Sequence, residues 1–415
     1  MAGGGEDRRR CYAHCVSEEE NRAASRRPRL LVLASTYPAK TGDGVPAFVE
    51  DLAGVQAAEF DVTVVVPQVP GAARREVTPK GVQVRRFRYF PKKWEDLADG
   101  AIIENLRSKP SRWLQVAPLM IGEAVSLVRE CRAGAPDIIH AHWIIPQGLV
   151  ATIAAPGTPR VVTSLGGDLY ALKAKPLRAL KSFVVRRAAA LTSVNSDMAR
   201  EIIALGADAS KVRVIPMGAD LSRFNAENRQ PAAHERLRVL FVGRLVEKKG
   251  VSVLLEALRL LDPSTFSATI VGGGPLEDDL KRRAAGLPVT FLGQRHRDDL
   301  ALDYLSHDVI VVPSVPAASG DQDGLPVALL EAMGSGCAVV ASDLPGINEA
   351  VEDERSGLLV PAGDARALAA AFVRIGRSRE LLASLSEGAA ERAVDYSVKV
   401  TGQRYLELLH SIIGR

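Results

Sequence analysis

The sequence predicts an α/β protein made of two doubly wound sheets in tandem. Three observations carry this. Short apolar runs end abruptly at Gly, Ser or Pro. Helical patterns fill the spaces between them. The whole series starts twice, on either side of a polar stretch. Apolar runs without alternation suit strands buried on both faces, as in parallel sheets covered by helices. The first run is Arg29 to Ser35, RLLVLAS. A Gly/Pro-rich loop, TYPAKTGDGVP, and a helical pattern, AFVEDLAGVQAAEF, lead to the second run, Val62 to Val66. Strand, loop, helix, strand is the βαβ signature. Asp137 to His140, Arg160 to Ser164 and Leu191 to Asn195 continue the series.

Around Asn225 to Glu235 the chain turns polar, NAENRQPAAHE, which suits a linker. Beyond it, Arg238 to Val242 is a strand, followed by the loop GRLVEKKG and the helix VSVLLEALRLL. Ser267 to Val271, Val309 to Val312 and Ala338 to Ser342 complete the second set. The expected organisation is a tail over 1–28, a first domain over 29–225, a linker over 226–236 and a second domain over 237–395. A final helix over 396–415 closes the chain. Two such domains side by side favour a ligand site in the cleft between them.

Composition excludes several classes. The chain has 415 residues, 47% hydrophobic and 25% charged, which is ordinary for a globular protein. Aromatics are 5% and the net charge is +4, so neither base stacking nor bulk charge points to nucleic acid. Cys11, Cys15, Cys131 and Cys337 are too scattered for a disulfide framework, and the Cys11–Cys15 pair lacks a second ligand pair for zinc. Residues 1 to 28 lack an apolar signal core and read as a charged tail. No run is apolar enough to span a membrane. The expectation is a cytoplasmic protein.

Five segments could carry chemistry. Gly243 to Gly250, GRLVEKKG, joins a strand to a helix, where backbone amides and the cations Arg244 and Lys249 would favour an anion. It is equally an ordinary βα turn. Gly272, Gly273 and Gly274 follow a strand, but Glu277 stands where a dinucleotide fingerprint needs Gly. Asp323 to Met333, DGLPVALLEAM, sets Asp323 before a helix and Glu331 inside it. Eight residues apart, the two suit separate tasks on one elongated ligand. Gly324 and Leu325 stand at the helix start, where an anion is favoured. Asp321 and Asp323 form a D-x-D, which can hold a divalent metal, and Asp323 alone could be an N-cap. His140 and His142 share a face if their segment is a strand. Gly166, Gly167 and Asp168 sit at a strand end, where Asp168 could meet sugar hydroxyls or cap a helix.

In this order and spacing, these segments resemble the retaining glycosyltransferases of the large family (family four) that includes sucrose synthase-like and lipopolysaccharide- or mannosyl-transferring enzymes. GRLVEKKG, GGGPLEDDL, VTFLG, DGLPVALLEAMGSGCAVVASDLPGINEAV and SGLLVPAGD carry the resemblance, with VNSDMAREIIALGADASKVRVIPMGADLSRF before them. The resemblance implies the GT-B architecture, two Rossmann-like domains facing a cleft, with the last helix crossing back. It implies Arg244 and Lys249 on the donor diphosphate, Glu331 on the nucleotide ribose and Asp323 near the donor sugar, where the family usually has Glu. Gly243, Gly274, Gly324 and Leu325 would line the donor, and Gly42 and Gly44 would approach the diphosphate. His142 matches the family's His near the reacting centre, and Asp168 would lie on the acceptor side. Leu165 stands where the family's T-x-H-G-x-D motif has His. Resemblance further implies a nucleotide-sugar donor, a sugar or lipid-linked acceptor, no metal and no cofactor. A non-catalytic sugar-nucleotide scaffold, or a GT-B epimerase or phosphorylase, are the other readings.

Charge is unevenly divided. Residues 1–229 carry 33 Lys and Arg against 24 Asp and Glu, and residues 230–415 carry 20 against 25. The basic excess gathers in Arg85 to Trp94 and in Lys173 to Arg187. The second segment interleaves apolar residues at helical spacing, as a membrane-surface helix does. It is equally a solvated basic face. The hypothesis it raises is that the first domain docks on an anionic membrane surface or on an anionic acceptor; the sequence assigns no oligomeric state.

Overall fold

The computed structural model describes residues 26–39, 47–100, 102–170, 174–229, 235–318 and 320–414. Cys11, His14 and Cys15 in the tail, Gly42 and Gly44 in the first glycine loop, and residues 230–234 of the linker segment lie outside them.

The first sheet has eight strands: β1 (Arg29–Leu33), β2 (Asp61–Pro67), β3 (Arg75–Val77), β4 (Gln83–Phe87), β5 (Ile138–His142), β6 (Arg160–Ser164), β7 (Ala190–Ser193) and β8 (Val212–Val214). Their spatial order is β3-β4-β2-β1-β5-β6-β7-β8, and only β3 runs antiparallel. The second sheet has six: β9 (Leu237–Val242), β10 (Phe266–Val271), β11 (Val289–Gly293), β12 (Val309–Val312), β13 (Ala338–Ser342) and β14 (Leu358–Val360). It is parallel throughout, in the order β11-β10-β9-β12-β13-β14. The central strands are those the apolar runs predict. Val32, Leu33, Val64 and Val65 are buried, as are Val309, Ile310, Val339 and Val340, because helices cover both faces.

The strands that the sequence pattern does not disclose are β3, β4, β8, β11 and β14. Each is short or charged and lies toward a sheet edge. β4 reads QVRRF, yet Arg86 is buried there, donating to Pro38 O at 2.6 Å and to Ala73 O at 3.0 Å. A buried guanidinium needs such partners, and local sequence does not announce them.

The last helix, Val398–Ile413, starts at an N-cap in which Ser397 accepts from Val400 N. It lies against the first sheet, far from it in sequence. Tyr405, Leu406 and Leu409 are buried among residues of the first sheet and its helices. Each apolar side chain so buried contributes roughly 1.5–3 kcal/mol. Gly402 lets the helix approach helix Phe48–Gln56: a Cβ there would sit 2.7 Å from Val55 Cγ1. A buried polar chain fixes the register. Gln56 Nε2 meets His140 Nδ1 at 3.3 Å, and His140 Nε2 meets Thr163 Oγ1 at 2.7 Å. Thr163 then meets Thr192 at 2.6 Å, and Thr192 meets Tyr405 Oη at 3.3 Å.

Candidate active site

Loops at the carboxyl ends of both sheets meet. Parallel strands carry their ligand sites at this edge. Gly166, after β6, abuts Gly324: a Cβ on it would lie 3.6 Å from Gly324 N. Asn195, after β7, donates to Gly324 O at 2.9 Å while its own side-chain oxygen caps helix Ser196–Ala204. Gly324 is therefore held by the first half of the chain. Leu325 packs against hydrophobic clusters of both halves.

Two lysines and two aspartates form the first charge cluster. The loop after β9 makes a short 3-10 turn, Glu247–Lys249, and then helix Val251–Leu258. Gly250 has φ 65, and a Cβ there would meet Pro313 O at 1.7 Å, so only glycine lets this loop close on the end of β12. That closure brings Lys249 Nζ to 2.8 Å from Asp323 Oδ2, and Lys248 Nζ to 3.2 Å from Asp321 Oδ2 and 3.7 Å from Asp323 Oδ1. Ser314 Oγ donates to Asp323 at 2.8 Å. Burial alone would raise the Asp323 carboxyl. The ammonium groups of Lys249 and Lys248 and the two hydrogen bonds outweigh it and hold the group below its ordinary value. Asp323 is not the N-cap of helix Val327–Gly334, whose cap position is Pro326. The D-x-D carboxylates face ammonium groups. Arg244 is exposed on the same loop as Lys249.

The glycines after β10 serve close packing. Gly272 has φ 128, and a Cβ on it would lie 1.9 Å from Gly243 O. Leu245 N donates to Gly273 O at 2.9 Å, and Gly274 lies against the Leu245 backbone. The loop carrying Gly274 thus supports the loop carrying Gly243 and Arg244.

Glu331 occupies a second cluster, on helix Val327–Gly334. Tyr304 Oη donates to its Oε2 at 3.2 Å, and Arg297 Nη2 lies 3.9 Å from its Oε1. Burial pushes the Glu331 carboxyl up to about 7. Arg297 and Tyr304 pull it back, while Asp51 and Asp220 add to the rise. The group is therefore poised between its two protonation states near neutrality.

The third cluster lies at the end of β5. His140 and His142 share a face, with ring centres 4.3 Å apart. Both are fully buried, and burial pushes His142 down to about 3. Its ring is neutral at ordinary pH, and its Nδ1 has no hydrogen-bond partner. The Phe48 ring stands 6.4 Å from it, edge on.

Three clusters thus stand at the facing carboxyl ends of the two sheets. Residues 43–218 match the family described as "Glycosyl transferase 4-like domain", and residues 236–378 match "Glycosyl transferases group 1". The chain belongs to the group 1 glycosyltransferases. Amylovoran biosynthesis glycosyltransferase AmsK of Erwinia amylovora is 41% identical over 183 residues. That match covers 43% of this chain and 45% of AmsK, so it spans about half of either protein. Among solved structures, a sucrose-phosphate synthase from Thermosynechococcus elongatus superposes with a TM-score of 0.75 at 20% identity, covering 94% of this chain and all of that one. HepE of Anabaena, in complex with UDP and glucose, superposes with a TM-score of 0.70 at 20% identity, covering 92% of this chain and all of that one. The fold is GT-B.

Asp168, expected to face an acceptor, is buried with both oxygens engaged. Oδ2 accepts from Ile144 N at 2.7 Å, and Oδ1 accepts from Ser164 Oγ at 2.9 Å and Leu165 N at 3.3 Å. It holds the turn after β6 against the end of β5. The basic stretches are less exposed than a charge count suggests. Arg86 is buried as described, and Lys181 is buried with Nζ donating to Leu169 O at 2.8 Å. Sequence reading missed Asp51, Arg297, Tyr304, Ser314 and Lys248. Only the doubled lysine in GRLVEKKG hinted at any of them. No helix among the described residues is long and apolar enough to cross a membrane.

Proposed function

We propose that this chain is a retaining, metal-independent hexosyltransferase. It moves a sugar from a nucleoside-diphosphate donor to a hydroxyl of a glycan, lipid-linked or small-molecule acceptor. The observation that carries the reading is the largely buried Lys249–Asp323 pair at the carboxyl end of β9 and β12. It stations a cation where a leaving diphosphate develops charge, with Lys248 beside it and Arg244 on the same loop. Glu331 accepts the ribose hydroxyls. His142, neutral and with a free ring nitrogen, meets the sugar side. The bond from the anomeric carbon to the phosphate oxygen breaks as the acceptor oxygen attacks the same face, and the leaving phosphate takes the acceptor proton. No side-chain nucleophile is needed. Lysine ammonium groups on both D-x-D carboxylates support a metal-free leaving group. UDP in the superposed HepE structure supports a uridine donor.

The acceptor-side surface supports membrane contact at the cytoplasmic face. Helices Val116–Ala133, Leu149–Ala154 and Lys175–Val185 pack side by side. Ile121, Val125, Ile153 and Leu180 project from them, next to exposed Arg129, Lys175 and Arg178. Their two acids do not oppose this: Glu123 is buried, and Glu130 faces Arg85. An apolar and basic face without exposed acids suits anionic lipid.

The experiment is a donor screen. UDP-, GDP- and ADP-hexoses are incubated with simple sugar and lipid-linked acceptors, with and without EDTA, and products are read by mass spectrometry and anomeric NMR coupling. Transfer with retention, unaffected by EDTA, is expected. Binding with hydrolysis only would favour a non-catalytic scaffold. Salt-insensitive failure to co-sediment with anionic liposomes would refute the membrane face.

A further inference from the structure

The ion pair between Arg297 and Asp51 joins the two halves of the chain beside Glu331, and the proposed activity does not use it. Arg297 begins helix Arg297–Ser306 in the second half of the chain. Asp51 lies in the first turn of helix Phe48–Gln56 in the first half. Their contact is a two-pronged fork, Nη2 to Oδ2 at 2.8 Å and Nη1 to Oδ1 at 3.3 Å, and both side chains are largely buried. Forked pairs fix direction as well as distance. The same Nη2 stands 3.9 Å from Glu331 Oε1. Tyr304, seven residues on and so on the same face of the same helix, holds the other Glu331 oxygen. Phe224 lies under the guanidinium, its ring centre 5.8 Å from Cζ.

Helix Phe48–Gln56 is also tied to the reacting side. Phe48 stands edge-on to His142, and Gln56 bonds His140. We propose that Arg297 is a positioning residue that couples ribose capture by Glu331 to the placement of helix Phe48–Gln56, and through it of His142. The inference rests on Glu331 being the ribose ligand. Before donor arrives, Arg297 serves two carboxylates, Asp51 and Glu331. Ribose hydroxyls then satisfy Glu331, and the guanidinium acts on Asp51 alone. The helix is drawn toward the filled donor site. Without Arg297, Glu331 would lose the guanidinium that offsets Asp51 and Asp220, and its carboxyl, already raised by burial, would rise further.

The test uses UDP, GDP and ADP as probes, so no acceptor is needed. Affinity is measured by calorimetry, and hydrogen–deuterium exchange is read with and without nucleotide. In the wild-type chain, nucleotide should protect both the 247–258 segment and helix Phe48–Gln56. Asp51→Asn should bind nucleotide within about threefold of wild type, yet lose most of the added protection of Phe48–Gln56, a coupling loss of about fivefold or more. Arg297→Gln should lose that protection too, bind more weakly, and reach its best binding at a higher pH than wild type. Arg297→Lys keeps a cation and guards against misfolding; it should restore affinity better than coupling, because it lacks the fork. Unchanged protection of Phe48–Gln56 in Asp51→Asn would overturn the coupling. Wild-type affinity in Glu331→Gln would instead overturn the ribose assignment. No binding of any of the three nucleotides to the wild-type chain would remove both.

Discussion

Replacing Lys249 by Ala perturbs catalysis and stability through the same contact. At 2.8 Å, an effective dielectric of about 20 gives an attraction of roughly 6 kcal/mol between the ammonium and Asp323, and Lys248 at 3.7 Å supplies about 4.5 kcal/mol that survives the change. Desolvation already offsets part of each. Removing one partner of a buried pair typically costs about 3–5 kcal/mol, and the surviving Lys248 places the expected loss near ~3 kcal/mol. Loss of a positioned charge at the leaving group should lower turnover by about 10²-fold or more. The pH dependence carries a sign. In the wild-type chain the Asp323 carboxyl is depressed, so its stabilisation is present above the unfolded value and fades as pH falls through the folded one. Without Lys249, burial gains weight and the folded value rises. The variant's deficit in urea unfolding should then be larger at about pH 8 than at about pH 5. Adding Asp323→Asn should recover stability without recovering turnover. A deficit under about 1 kcal/mol together with turnover within threefold of wild type would refute both the pairing and the phosphate role.

Other consequences can be checked in parallel. With Glu331 near 7, donor KM should fall as pH rises from about 6 to 8, because the carboxylate accepts ribose hydroxyls, and Glu331→Gln should flatten that dependence. Buried Glu331 also makes the free protein lose stability as pH climbs between the ordinary carboxyl range and about 7, and Glu331→Gln should remove that decline in thermal melts. His142→Phe should lower kcat by about 10²-fold while leaving the shape of the pH profile unchanged. Loss of an acidic limb in that variant would mean that His142 titrates in the working range, contrary to its burial. Gly272→Ala should destabilise by about 1–3 kcal/mol, since its Cβ meets Gly243 O, and weaken donor binding by displacing the loop of Arg244.

Much of the molecule is legible before any coordinates. Runs such as VIVV and AVVAS can be buried on both faces only inside a parallel sheet, and their repetition on both sides of NAENRQPAAHE yields two sheets. The loop GRLVEKKG and the helix bearing Glu331 stand at strand ends by chain order alone. Strands toward the sheet margins escaped; β4, next to the edge strand β3, carries arginines whose partners come from other parts of the chain. Asp168 and Lys181 show the same limit: sequence shows a charge, and burial shows what it holds.

What sequence by itself determined is therefore local and periodic. It set which segments are buried strands, where the glycines let loops close, and which residue types stand at the strand ends. Tertiary structure decided the pairing of charges. Asp51 and Arg297 are 246 positions apart, Lys249 and Asp323 are 74 apart, and Thr192 and Tyr405 are 213 apart. No period or propensity links residues so distant. Their contacts follow from how two sheets and a returning helix bury apolar surface together. Burial imposed in this way, held in check by Arg297 and Tyr304, converts Glu331 from an ordinary acid into one poised near neutrality.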